Sequence, residues 1–304
     1  GLVALKDVLF AVVWEEYENV YVRVAGSGKL GSALRLSDVA SGQASKTVIG
    51  DQLLVVFRQQ SERYGSIMLR QLGIANQLEL SVTSQCRVDV SAVKDDQLYP
   101  VIAVVDDRAV VAWEDRRLGH TVIMTSQAKP GKACDFEPPA RVSEQPEGPR
   151  APYGAGHGVA RVALADYGQS NLYAVWADKR DFREGYDIYG ASKQGSNGFG
   201  ANVRVQDDFG GNYRQWHSTM SGLDDGTLVA AWTDERDGSM DIWYSWLADG
   251  EWSDDHVLPG ASGPGIQYHP SITLDAAGDL HAAWVERDAV GGPTRLRYVQ
   301  GILE

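Results

Sequence analysis

The sequence predicts an all-β chain of six four-stranded antiparallel blades, a six-bladed β-propeller, and three observations carry that expectation. An apolar strand ending in Trp, with an acid two residues on and often an Arg two beyond, returns along the chain. Asp-Gly turns separate short alternating strands, the strongest local hairpin signal. The copies lie 43 to 63 residues apart, room for four strands in each.

The clearest copies are Trp113-Glu-Asp115-Arg-Arg117, Trp176-Ala-Asp178-Lys-Arg180 and Trp232-Thr-Asp234-Glu-Arg236. Weaker ones are Trp14-Glu-Glu16, Phe57-Arg-Gln59 and Trp284-Val-Glu286. The fifth unit shows the pattern best, with strands expected at Ser218–Leu223, Thr227–Trp232, Asp241–Trp246 and His256–Leu258. Its turns are Asp224-Asp-Gly226, Asp237-Gly238 and Asp249-Gly250. A meander of this size cannot bury both faces alone and stacks on its neighbours. One domain over residues 1–304 follows, with blades near 1–41, 42–90, 91–146, 147–208, 209–260 and 261–304. A parallel β-helix needs shorter repeats, and a row of sandwiches needs about seven strands per domain. Gly1 falls inside the first strand and the last blade stops near Glu304 without its outer strand, so the ring latch is open at this stage.

Composition narrows the function. Of 304 residues 43% are hydrophobic and 23% charged, enough for a sizeable core. The net charge of -13 repels phosphate backbones and anionic lipid surfaces, so nucleic acid is excluded as the expected partner. No run approaches the roughly 20 apolar residues of a spanning helix, so no membrane insertion is expected. Gly1 without a basic-then-apolar leader fits a processed secreted chain and a shortened one equally. Cys86 and Cys134 permit one disulfide but no Cys-pair zinc framework.

Trp232 to Trp243 reads Trp-x-Asp-x-Arg-x-Gly-x-x-Asp-Ile-Trp, and Trp176 to Tyr189 repeats it with an insertion. The pattern resembles the repeats of secreted bacterial sialidase-like propellers, related to those with Asp-box turns, and the likeness spans nearly the whole chain. It implies a secreted, periplasmic or cell-surface protein and a glycan ligand. Sialidases of that superfamily use three arginines on the substrate carboxylate, a Tyr–Glu nucleophile pair and an Asp acid/base. Only degenerate relatives of the Asp-box turn occur, such as Ala248-Asp-Gly-Glu-Trp252, and no Phe/Tyr-Arg-Ile-Pro segment supplies the first arginine. The resemblance therefore implies architecture without sialidase activity.

Two constellations are candidate sites. Asp115, Asp178 and Asp234 with Arg117, Arg180 and Arg236 read either as fold-stabilising clasps or, together with Glu286, as candidate catalytic carboxylates. A glycosidase needs two such groups about 5–9.5 Å apart. The second constellation precedes the innermost strands: Gln97 and Tyr99; Arg214, Gln215, Trp216 and His217; and Gln267, Tyr268 and His269, with Gln43 a fainter copy of the glutamine. Tyr153 and His157 join it from a glycine-rich segment in blade four. Aromatic faces stack on sugar rings while Gln, His and Arg donate to hydroxyls or a carboxylate, so the set suits a polar ring-shaped ligand at the channel mouth. The same residues also read as a channel plug.

His157, His217 and His269 would make an open metal site if they converged. No motif requires a cofactor, and the paired aspartates in turns are compatible with one structural calcium. Two functions stay open: a glycan-recognising propeller, lectin-like or carbohydrate-active, and a non-catalytic scaffold with a protein partner on its rim.

Overall fold

A computed structural model describes residues 1–6, 8–75, 78–91, 93–144, 158–180, 185–195, 197–207, 209, 213–289 and 291–303. It contains 25 strands and no α-helix among the described residues. Two compact units divide the chain, Gly1–Val142 and Ser143–Glu304. Each holds three antiparallel sheets, six in all, and the fold class is the six-bladed β-propeller that the repeat predicts.

In the first unit, blade one comprises β1 (Leu2–Ala4), β2 (Leu9–Glu16), β3 (Asn19–Gly26), β4 (Lys29–Leu30) and β5 (Leu34–Arg35). Blade two is β6 (Ser41–Ile49), β7 (Gln52–Gln60), β8 (Gly65–Ala75) and β9 (Glu79–Arg87). Blade three is β10 (Gln97–Val105), β11 (Arg108–Asp115), β12 (Val122–Gln127) and β13 (Ala140–Arg141). In the second unit, blade four is β14 (Val159–Tyr167), β15 (Asn171–Asp178), β16 (Asp187–Gln194) and β17 (Val203–Arg204). Blade five is β18 (Gln215–Gly222), β19 (Leu228–Asp234), β20 (Asp241–Ala248), β21 (Glu251–Trp252) and β22 (His256–Val257). Blade six is β23 (Ile266–Leu274), β24 (Leu280–Arg287) and β25 (Thr294–Gly301), a three-stranded sheet among the described residues.

The second strands of the middle blades, β7 and β19, are apolar on both faces because neighbouring sheets cover both faces. Along β7, Leu53, Val55 and Phe57 join the cluster shared with blade one, while Leu54 and Val56 join the one shared with blade three. Along β19, Leu228, Ala230 and Trp232 pack with blade four, while Val229 and Ala231 pack with blade six. Phe57, Trp113, Trp232 and Trp284 lie in these clusters between neighbouring sheets; of the five tryptophans whose apolar register predicts such packing, Trp14, Trp113, Trp176, Trp232 and Trp284, the clusters hold three. Gly222 on β18 lies so near blade four that a Cβ would stand 2.2 Å from the Asp166 carbonyl oxygen. Cys86 on β9 and Cys134, after β12, form a disulfide with Cα atoms 5.5 Å apart, tying blade two to blade three. Closing a chain separation of 48 residues restricts the unfolded ensemble, an effect of about 2–4 kcal/mol.

Candidate functional site

The acid after each Trp is committed to the fold. Asp115, Asp178 and Asp234 are buried, at 0%, 3% and 0% exposure. Each accepts the indole N–H of the Trp two residues before it, at 2.8, 2.9 and 3.0 Å. Each also accepts the backbone N–H of the Arg two residues after, at 2.9, 2.9 and 2.8 Å. The same arginine returns a guanidinium nitrogen at 2.6, 2.7 and 2.7 Å. Burial pushes the Asp115 carboxyl up, but bonds from Arg117 and Trp113 outweigh it and hold the group below the usual carboxylate range. The closing aromatic of the motif has a role too: Arg180 stacks over Tyr189 at 3.8 Å and Arg236 over Trp243 at 4.1 Å.

This geometry is a clasp, and both oxygens of each aspartate are engaged in it. Glu286 departs from it. Its longer side chain accepts from Arg297 at 2.8 Å and lies 3.8 Å from Arg295, and the Trp284 N–H has no partner among the described residues.

The glutamines belong to the same buried layer. Gln97, Gln215 and Gln267 are 0%, 0% and 2% exposed. The Gln97 amide donates to Asp89 at 2.8 Å and Asp115 at 3.3 Å. With its amide nitrogen facing the acceptors, Gln267 donates to the Met240 carbonyl at 2.8 Å and to Asp241 at 2.9 Å. Gln215 sits opposite Asp234 in the strand register. The sequence grouped these glutamines with the aromatic and histidine positions beside them, and the structure separates the two sets. A strand alternates faces, so Gln215 and Trp216 cannot share one.

The open positions lie two residues further on. In blades two to six the innermost strand breaks register, between Gly42/Ser45, Leu98/Val101, Ala160/Ala163, Trp216/Thr219 and Tyr268/Ser271. Inside each bulge one non-glycine residue adopts the left-handed conformation: Gln43 (φ 56°), Tyr99 (47°), Arg161 (58°), His217 (54°) and His269 (54°). Glycine is the residue that takes this conformation without penalty; others pay about 1–2 kcal/mol each. A bulge re-aims a side chain, and the fold spends this strain on large polar ones five times.

In the first unit, the Gln43 side-chain oxygen accepts the Tyr99 backbone N–H at 2.8 Å, joining two bulges. Beside them, Glu15, Glu16, Tyr17, Glu18, Gln43 and Arg58 line an open cleft of 680 Å³. Gln43 is therefore the counterpart of Tyr99; Ser41 holds the Gln97 register, a correction to the sequence alignment.

In the second unit, three consecutive bulges converge. The His217 and His269 rings stand 4.3 Å apart, Trp216 stacks on His217 at 4.9 Å, and Tyr268 flanks His269 at 4.9 Å. Burial first, then His269 and Arg161, push the His217 imidazole down to about 4. Burial and then Arg161 lower His269 as well. Both rings are neutral at pH 7. The His217 Nδ1 and Trp216 Nε1 atoms are buried and have no partner among the described residues.

Arg214 lies exposed on the approach to β18, two residues outside the bulge register. Tyr153 and His157 lie outside the described residues. No group of three metal-ligating side chains comes together among the described residues. Arg161 was missed in the sequence because no aromatic or Gln neighbour flags it. The signal that finds it is distance: the five bulge residues stand 14 or 15 positions before their Trp or Phe anchor.

No known family model matches the sequence, and no curated protein matches it. Solved structures match over nearly the whole chain. An α-L-arabinanase from Penicillium chrysogenum, complexed with arabinobiose, is 9% identical, with a TM-score of 0.62, over 97% of this chain and 90% of that one. The GH93 α-L-arabinofuranosidase of Fusarium graminearum with arabinobiose is 11% identical, with a TM-score of 0.61, over 98% and 91%. A protein of unknown function from Dyadobacter fermentans is 10% identical, with a TM-score of 0.63, over 99% and 93%. At these identities the likeness is one of fold.

Proposed function

We propose that this chain is a glycan-recognising propeller, and that the side chains on the inner-strand bulges bind the sugar. One observation carries the reading: polar and aromatic residues occupy left-handed positions at matching registers in five blades, where glycine would serve the backbone better. Trp216 and Tyr268 offer ring faces, and His217 and His269 offer hydrogen bonds, the chemistry a pyranose or furanose presents. Two fold relatives were solved with arabinobiose bound, which supports a glycan over other polar ligands. Kinship with sialidase-like propellers rests on the Trp-x-Asp-x-Arg repeat. The Cys86–Cys134 bridge favours an oxidising compartment, hence a secreted, periplasmic or surface location.

The test is a glycan array followed by calorimetry on the sugars that bind. His217→Asn, which tolerates the left-handed backbone, and Trp216→Ala are expected to weaken binding at least tenfold while the melting temperature moves by less than about 3 °C. Unchanged affinity in both variants overturns this site. An array without a single bound sugar leaves the protein-scaffold reading in its place.

A further inference from the structure

Blade two buries a cation that the chain does not pair. Arg70 on β8 is 9% exposed, and its Nη1 atom is buried without a hydrogen-bond partner among the described residues. Strand register places the side chain. Val55, which packs against blade one, stands opposite Arg70, and antiparallel partners share a face. On β9, Arg87 stands opposite Met68, another residue packed on that cluster and two positions from Arg70. The Arg87 Nε atom is also buried and without a partner among the described residues. Arg70 and Arg87 are therefore diagonal neighbours on the blade-one side of blade two, a separation that long side chains span.

The surroundings leave both arginines short of an acceptor. The Phe57 ring lies 5.5 Å from the Arg70 guanidinium, which covers a face of the cation and accepts nothing from its N–H edge. Asp38, on the loop after β5, is exposed and acts on Arg70 through its field, without an ion pair between the two. Burial outweighs it and lowers the proton affinity of the guanidinium. Acids outnumber bases 41 to 28 in this chain, so two arginines left without a carboxylate on one sheet face are not explained by a shortage of acids.

We propose that Arg70 and Arg87 form a binding site for a tetrahedral oxyanion, sulfate or phosphate, free or carried as an ester. One guanidinium fork satisfies the two oxygens of a carboxylate; a second fork finds acceptors when the anion offers further oxygens. The anion also supplies the counter-charge that a buried guanidinium requires. None of these residues belongs to the bulges, so this site stands whether or not the chain binds glycan.

The experiment is a set of melting curves at fixed ionic strength, with sodium chloride exchanged for sulfate, for phosphate or for a galactose sulfate, beside neutral galactose. The parent is expected to gain about 3 °C or more with at least one anion and nothing with galactose. Arg70→Met keeps the stem and removes the charge, so it should lose that gain yet melt no lower than the parent in chloride. Arg87→Gln, at a more open position, should lose at least half the gain, and it reads the site if Arg70→Met fails to fold. A larger gain with the sugar sulfate assigns the anion to a glycan, and an equal or smaller one assigns it to the free ion. An equal gain in the parent and both variants is the general salting effect of such anions and overturns the site, as does a parent that gains nothing.

Discussion

Replacing Asp234 with alanine is expected to lower the unfolding free energy by about 3–5 kcal/mol, the usual cost of stripping one partner from a buried ion pair. Asp234 is fully buried and accepts three bonds, from Trp232 Nε1, Arg236 N and the Arg236 guanidinium. Alanine leaves the indole N–H without an acceptor inside the core and frees the turn after β19. Asparagine keeps the shape and one acceptor oxygen, so Asp234→Asn should cost markedly less. Denaturant unfolding of the two variants against the parent reads the difference. An Asp234→Ala variant within about 1 kcal/mol of the parent would show that the clasp is not a stabilising device.

A second large effect concerns pH, and it arises on the other side of the same guanidinium. Arg236 serves three carboxylates, meeting Asp234 at 2.7 Å, Asp255 at 2.5 Å and Asp207 at 3.5 Å. One guanidinium cannot neutralise three carboxylates at once. Burial raises Asp255 to about 7 despite the opposing Arg236 bond. The folded chain thus keeps a proton on Asp255 that the unfolded chain releases near pH 4. Between those values folding takes up a proton, so stability is highest at the acid end and falls as pH rises towards 7, then levels off. The full span corresponds to at most about 4 kcal/mol, trimmed by the pairing with Arg236.

His217 acts in the opposite sense, because its lowered pKa makes stability fall as pH drops from about 6.5 to 4. Comparing the parent with Asp255→Asn isolates the carboxyl. The parent should lose stability between pH 5 and pH 7.5 relative to the variant, in melting curves at one ionic strength. Parallel curves would show that Asp255 is ionised throughout.

The clasp and the blade count were legible in the sequence because their contacts are local. Trp232, Asp234 and Arg236 touch one another at a spacing of two, so the chemistry and the spelling coincide. The fifth blade shows the limits of that legibility. Its first strand begins at Gln215 rather than Ser218, since the bulge lets pairing resume on its far side. Its outer edge splits into β21 and β22, which pair with different parts of β20.

The candidate site was half visible. Tyr99, His217 and His269 stood out by residue type, but their exposure depends on a bulge that only cross-strand pairing fixes. Gln97, Gln215 and Gln267 looked like recognition groups, but all three are buried, and Gln97 donates to Asp89 and to Asp115 of the clasp while Gln267 donates to Asp241 and the Met240 carbonyl. Arg161 and Gln43 share no residue type with the other bulge positions, and only the common strand register unites all five.

The central claim is that sugar meets this chain at the bulged ends of the inner strands. A crystal structure with a bound oligosaccharide tests it most directly. The account expects density within hydrogen-bonding distance of His217 and His269, with a ring against Trp216 or Tyr268. Sugar seated instead in the cleft between Trp246 and Asp279, with the bulge residues uncontacted, would contradict it.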